Sequence, residues 1–299
     1  TGVSNTSVTM NAASMENSGF EFSATYRNRD HAFKYDISAN LSTLKNKVTS
    51  LGIGKDSYIT GAYATYVGQE IGQFYGWVYE GIARTQSDLD NHATQQGVNV
   101  GDCLYKDISG PEGTPDGVID AYDQTVLGSG LPKVNFGLST HMEYKGFDLN
   151  ISTYGVLNYH VSDDIYNSLN SCYGYGNKEV GMLDANRWSE DGTYLSSVPR
   201  TYAANNATLA WNDLFSSRKI QNAAYWKIAN VELGYNFPDK WFGGYVSGVR
   251  LYVSAQNLYT FTGYHGYNVD YAGGTFTPGY NFCSFPSART FMAGLHFTF

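Results

Sequence analysis

From Arg289 to Phe299 the chain reads RTFMAGLHFTF, and every second residue from the last, Phe299, Phe297, Leu295, Ala293 and Phe291, is apolar. Between them stand Thr298, His296, Gly294, Met292 and Thr290. The alternation recurs in GFEFSATYRN, where Phe20, Phe22, Ala24 and Tyr26 oppose Glu21, Ser23, Thr25 and Arg27. In AFKYDISANLS, Phe33, Tyr35, Ile37, Ala39 and Leu41 oppose Lys34, Asp36, Ser38, Asn40 and Ser42. KVNFGLSTHMEY, GFDLNISTY, NVELGYNF and GVRLYVSAQN repeat it. A period of two sends successive side chains to opposite faces, so each segment predicts a strand with one apolar face.

Strands of a soluble β-sandwich alternate as well. Two features favour a membrane barrel instead. Segments of roughly 9–12 residues suit a tilted bilayer crossing, whereas soluble strands usually run to about 5–6. Connections also alternate between short (27–31, 145–146, 238–247) and long (45–131, 158–219, 263–286), as short periplasmic turns and long extracellular loops do. Aromatics gather at strand ends, as at a membrane interface. The expected fold is therefore all-β: a transmembrane antiparallel β-barrel with long extracellular loops and a periplasmic C-terminus. About seven crossings is an odd count, and an open sheet in lipid leaves two unpaired edges. Further strands are accordingly expected from another copy of the chain or from a preceding part of the same polypeptide. The polar positions Arg27, Asp36, Asn40, Lys133, Asn135, Asp148, Asn150, Arg250 and Gln256 are then expected to face the lumen, and the apolar ones outer-membrane lipid.

Composition narrows the classes. No apolar run approaches the ~18 residues of a membrane-spanning helix. A net charge of −8 argues against a nucleic-acid partner, which selects basic surfaces. The opening TGVSNTSVTM carries neither a starting Met nor a signal segment, as an internal fragment would. Cys103, Cys172 and Cys283 fit no CxxC motif; one disulfide with a leftover thiol and three unpaired cysteines both remain open.

The sharpest local motif is EGTPDGVIDAYD, 112–123. Counted from Glu112, it sets Glu112, Thr114, Asp116, the Val118 carbonyl, Asp120 and Asp123 at the oxygen-ligand positions of an EF-hand loop, with Gly117 at the sharp turn. This spacing predicts a structural Ca²⁺; an alternative register begins at Asp107 and Ser109, and an acidic turn without metal is the plainer reading. Aromatics crowd the long connections: Tyr173, Tyr175, Trp211, Phe215, Tyr264, Tyr267, Tyr271 and Tyr280. They are candidates for contact with a glycan, a peptide or a lid protein, or for packing of loop on loop. The six histidines are scattered and match no HExxH, and no serine sits in GxSxG, so no enzyme is expected.

Several stretches together resemble the C-terminal part of SusC/RagA-type TonB-dependent transporters of Bacteroidota outer membranes. NSGFEFSATYRN with FKYDISANLSTLKNKVTSLG, GQEIGQFYGWVYEGIART, DGVIDAYDQTVLGSGLPKVNFGLS, AAYWKIANVELGYNFP, VRLYVSAQNLYTFTGYHGYNVD and FPSARTFMAGLHFTF occur in that family's order. The resemblance implies a place among the last strands of a plugged barrel of about 22 strands, with the plug domain and N-terminal strands absent from 1–299. It also implies uptake of oligosaccharides or oligopeptides, energised by TonB–ExbB–ExbD through the missing N-terminal part, beneath a SusD-like surface lipoprotein. Two other readings are a surface adhesin or carbohydrate-binding β-domain with a calcium loop, and an outer-membrane hydrolase.

Overall fold

A computed structural model describes residues 13–52, 54–171, 177–180, 188, 198–201, 211–242, 246–270, 273–282 and 284–299. Seven long strands form one antiparallel sheet: β1 (Glu21–Asn28), β2 (Phe33–Thr43), β3 (Val134–Tyr144), β4 (Phe147–Leu157), β5 (Tyr225–Phe237), β6 (Gly248–Thr262) and β7 (Thr290–Thr298). Each pairs with its sequence neighbour, so the sheet is a simple meander from β1 to β7. All seven coincide with alternating segments of the sequence.

Register joins the apolar positions into one continuous surface. Phe33 lies opposite Tyr144, Tyr144 opposite Phe147, Phe147 opposite Tyr235, Tyr235 opposite Leu251 and Leu251 opposite Leu295. The other face carries the row Arg27, Asp36, His141, Asn150, Glu232 and Ser254. Because side chains alternate strictly, a one-residue slip in any strand would exchange the two faces. The β3–β4 connection is the two-residue turn Lys145–Gly146, with φ +49° and +87°. Positive φ at both positions gives a primed turn, whose twist matches that of the strands it joins.

The closed barrel expected above is not formed. β1 pairs only with β2 and β7 only with β6, leaving the sheet open at both edges. Alternation reports which face of a strand is apolar. Closure needs the first and last strands to meet, which no local pattern encodes. An open sheet also carries two rows of unpaired backbone groups that hydrocarbon could not satisfy, so the expectation of transmembrane strands falls with that of the barrel. No helix among the described residues is long and apolar enough to cross a membrane.

The sheet's large apolar side chains are exposed, Phe22 at 64%, Phe147 at 54% and Phe297 at 51%. The buried core lies mainly in the long connections and the strand ends they cover. One cluster joins Val156, Tyr159, Val161, Ala223, Tyr225, Tyr264 and Val269. A second joins Cys103, Tyr105 and Ile119, packed against Trp77, Tyr79, Ala93, Trp211 and Leu214. Short strands tie this body together. Ser57–Thr60, Tyr63–Tyr66, Gln73–Gly76 and Thr125–Ser129 make a four-stranded sheet, and His160–Asp163 pairs with both Gln221–Asn222 and Tyr280–Asn281. Helices α1 (Gln86–Asp90) and α2 (Asp164–Leu169) are single turns capped by Thr85 and Asp163.

Candidate functional site

The polar face of the sheet holds several of its charges in pairs. Arg250 on β6 donates Nε to Asp148 Oδ1 at 3.0 Å and Nη2 to Glu232 Oε1 at 2.7 Å. Asn236 donates Nδ2 to the same Asp148 oxygen at 2.9 Å. His141 Nδ1 lies 2.6 Å from Asn150 Oδ1, and its Nε2 lies 2.9 Å from Glu143. Asp36 is held by Arg29 in the β1–β2 turn, not by Arg27 directly opposite it. Lys133 pairs with Glu70 and so ties the start of β3 to the loop body. Asn40 and Asn135 line a shallow concavity above β3 and β4. Gln256 sits opposite Asn230 and Thr290. Register brings the eight of these positions that lie in strands to one face; Lys133 precedes β3.

In the acidic turn, Gly117 has φ +82°, as a sharp reversal requires. Asp123 is fully buried and accepts from the amides of Ile108 (2.8 Å), Ser109 (3.2 Å) and Asp120 (2.8 Å). Asp107 Oδ2 accepts from Gly117 N at 2.7 Å, Asp116 Oδ1 from Val118 N at 3.0 Å, and Asp120 Oδ1 from Tyr122 N at 2.8 Å. Glu112, Thr114, Asp116 and Val118 are exposed. Among the described residues no three His, Cys, Asp or Glu side chains are grouped to hold a metal. The carboxylates close the turn on its own backbone, and ligand spacing alone carries the calcium expectation.

The aromatic candidates divide by environment. Tyr264 is buried, and its hydroxyl donates to Asp163. That carboxylate also accepts Asn281 Nδ2 at 3.2 Å and, through Oδ1, Tyr166 N at 2.9 Å. Trp211 donates Nε1 to Gln96 O at 2.8 Å, and its ring lies 6.1 Å from that of Tyr105. Phe215 packs against Phe74 and Tyr63, and Tyr280 meets Tyr63 edge-on at 6.5 Å. Tyr267 is exposed. Tyr173, Tyr175 and Tyr271 lie outside the described residues.

Sequence reading missed the polar residues that weld the connections together. Asp102, only 3% exposed, takes Nε and Nη2 of Arg200 at 2.6 and 2.8 Å and Nδ2 of Asn212 at 2.8 Å. Asn212 Oδ1 in turn accepts Cys103 N at 2.7 Å. These partners stand about a hundred residues apart, so no local motif could have flagged them. Burial also pushes the Cys103 thiol up to about 11 and depresses the His160 imidazole below its ordinary value.

No family model matches the chain. Individual relatives do. TonB-dependent receptor P3 of Formosa agariphila is 30% identical over 97% of this chain. TonB-dependent receptor SusC of Bacteroides thetaiotaomicron is 26% identical over 99% of it. Over nearly its whole length the chain is similar to TonB-dependent receptors. It spans 29% of the length of receptor P3 and 27% of that of SusC. A chain of the RagAB peptide transporter superposes with a TM-score of 0.75 at 22% identity, over 95% of this chain and 29% of that one; this likeness speaks for the fold alone.

Proposed function

We propose that the chain serves TonB-dependent import at an outer membrane, as a segment of a SusC/RagA-type receptor that takes up oligosaccharides or oligopeptides. The observation that carries this reading is the correspondence of 97% of the chain with TonB-dependent receptor P3 at 30% identity. The likeness of the last residues to the family's closing strand supports a position in the receptor's C-terminal part. On this reading a plug-bearing part of the receptor couples to TonB–ExbB–ExbD, and a SusD-like lipoprotein covers the connections. The packed body formed by the described residues of these connections suits that role, because it presents a shaped surface.

Uptake tests it. Cells lacking the full-length receptor are expected to lose accumulation of a labelled oligosaccharide or oligopeptide, and cells lacking TonB to lose it equally. Accumulation that persists without TonB would overturn the reading. A surface adhesin would instead lose attachment and keep uptake.

A further inference from the structure

A cavity of about 250 Å³ opens where the strand Tyr79–Ile82, helix α2 and the turn Ser217–Lys219 converge. Tyr79, Tyr166, Asn167, Asn170, Asp213 and Arg218 line it. None of them is among the residues singled out from the sequence. We propose that this cavity binds a carboxylate-bearing unit the size of one sugar ring or one amino-acid residue, with its carboxylate on Arg218.

The walls are fixed independently of any ligand. Tyr79 N donates to Ser217 Oγ at 3.0 Å, which joins the strand to the turn. Asn167 Nδ2 donates to Ser162 Oγ at 3.2 Å and to Lys219 O at 3.4 Å, which joins α2 to the same turn. Tyr166 is held flat against His265, ring centres 5.6 Å apart and 14° from parallel. The site is therefore preformed, and ordering it on binding costs little.

Its chemistry is selective. No carboxylate among the described residues forms an ion pair with Arg218, a half-buried guanidinium. The other cation of the lining, Lys219, donates Nζ to the carbonyl of Asp213, and Asp213 Oδ2 accepts Ser171 Oγ at 2.8 Å. With Arg218, Lys219 and Asp213 the lining carries one net positive charge, in a chain of −8. A planar fork of N–H donors matches a carboxylate in two-point contact. Asn167 and Asn170 use their Nδ2 groups on the protein, which leaves their Oδ1 atoms to accept from ligand hydroxyl or N–H groups. Tyrosine rings on two walls suit the apolar face of a sugar or a short side chain. The volume is below the roughly 300 Å³ at which pockets begin to take drug-sized ligands, so the site grips one terminal unit of a longer molecule.

A uronic acid and a peptide C-terminus share this chemistry, and titration calorimetry on the full-length protein separates them. The probes are glucuronate against glucose, and a free tripeptide against its C-terminal amide. One carboxylate probe is expected to bind at least tenfold more tightly than its uncharged counterpart, and Arg218→Met to weaken it at least tenfold. Arg218→Lys, which keeps the charge without the fork, should recover part of the loss. Binding of neither carboxylate probe overturns the proposal, as does equal binding of the uncharged counterparts. Unchanged affinity in a folded Arg218→Met protein also overturns it; should that variant not fold, the paired probes on the unaltered protein decide. That the bound unit is imported cargo rests on the transport reading. Binding without TonB-dependent uptake would refute that reading and leave the pocket standing.

Discussion

The Asp102 carboxylate faces the Arg200 guanidinium in a two-point contact, 2.6 Å to Nε and 2.8 Å to Nη2, across 98 residues of sequence. Asp102 is almost wholly buried while the Arg200 side chain keeps 27% of its surface. The pair, with Asn212 beside it, welds the connection before β3 to the one before β5.

Arg200→Ala is expected to loosen that weld. Removing one partner strands a buried carboxylate, a change that costs about 3–5 kcal/mol when both groups are buried; with Arg200 part-exposed, about 2–4 kcal/mol is expected. Hydrogen exchange at Cys103 and Tyr105 should accelerate, while exchange along β3 and β4 stays unchanged.

Asp123→Ala removes the acceptor of three amides. Buried donors left unpaired cost about 1–3 kcal/mol each before the backbone relaxes. Faster exchange at Ile108, Ser109 and Asp120 is the expected readout, and an unchanged pattern there would refute the turn-closing role of this carboxylate.

Gly146→Ala should destabilise the β3–β4 hairpin by about 1–2 kcal/mol. The position has φ +87°, and an added Cβ would lie 2.9 Å from Asn236 O. Gly54→Ala is the control: φ is also positive there, but the added methyl meets nothing within 4 Å. The two thermal shifts should therefore differ, with Gly146→Ala the larger.

Cys103 should resist alkylation at pH 8 in the folded protein and react on unfolding. It is fully buried and its thiol is pushed up to about 11 by desolvation, so the nucleophilic thiolate is scarce. Peptide mapping after maleimide treatment reads this out. The shift is upward, so the stability it contributes is present below the unfolded thiol value and is lost as pH rises toward 11.

His160 works in the opposite sense. Burial lowers its imidazole, so on acidification the unfolded chain takes up a proton first. The folded state accordingly loses stability as pH falls below the ordinary histidine value of about 6.5. The melting temperature of His160→Gln relative to the unaltered protein should therefore rise between neutral pH and pH 5. A constant difference would show that His160 does not titrate against folding.

Strand positions and faces were written in the sequence because they are local. Phe147, Leu149 and Ile151 declare one side of β4 and Asp148 and Asn150 the other, wherever the strand ends up. Glycine at 117 and 146 likewise declares backbone conformations that other residues rarely adopt. Alternation also explains why the eight polar positions within strands share a face. It could not say that β1 and β7 stay apart, because their pairing depends on strand number, twist and register together.

Only the tertiary structure decided where the core is. For Tyr264, Trp211, Phe215 and Tyr280 the sequence left ligand contact and loop-on-loop packing both open; they pack inward, while Phe22, Phe147 and Phe297 of the sheet stay exposed. Asp102 with Arg200, and Arg218 beside Tyr79 and Tyr166, become neighbours only when connections distant in sequence fold on one another. Period and spacing act within a few residues of the chain. Buried ion pairs and cavities depend on which distant segments share a volume, and that is settled by packing.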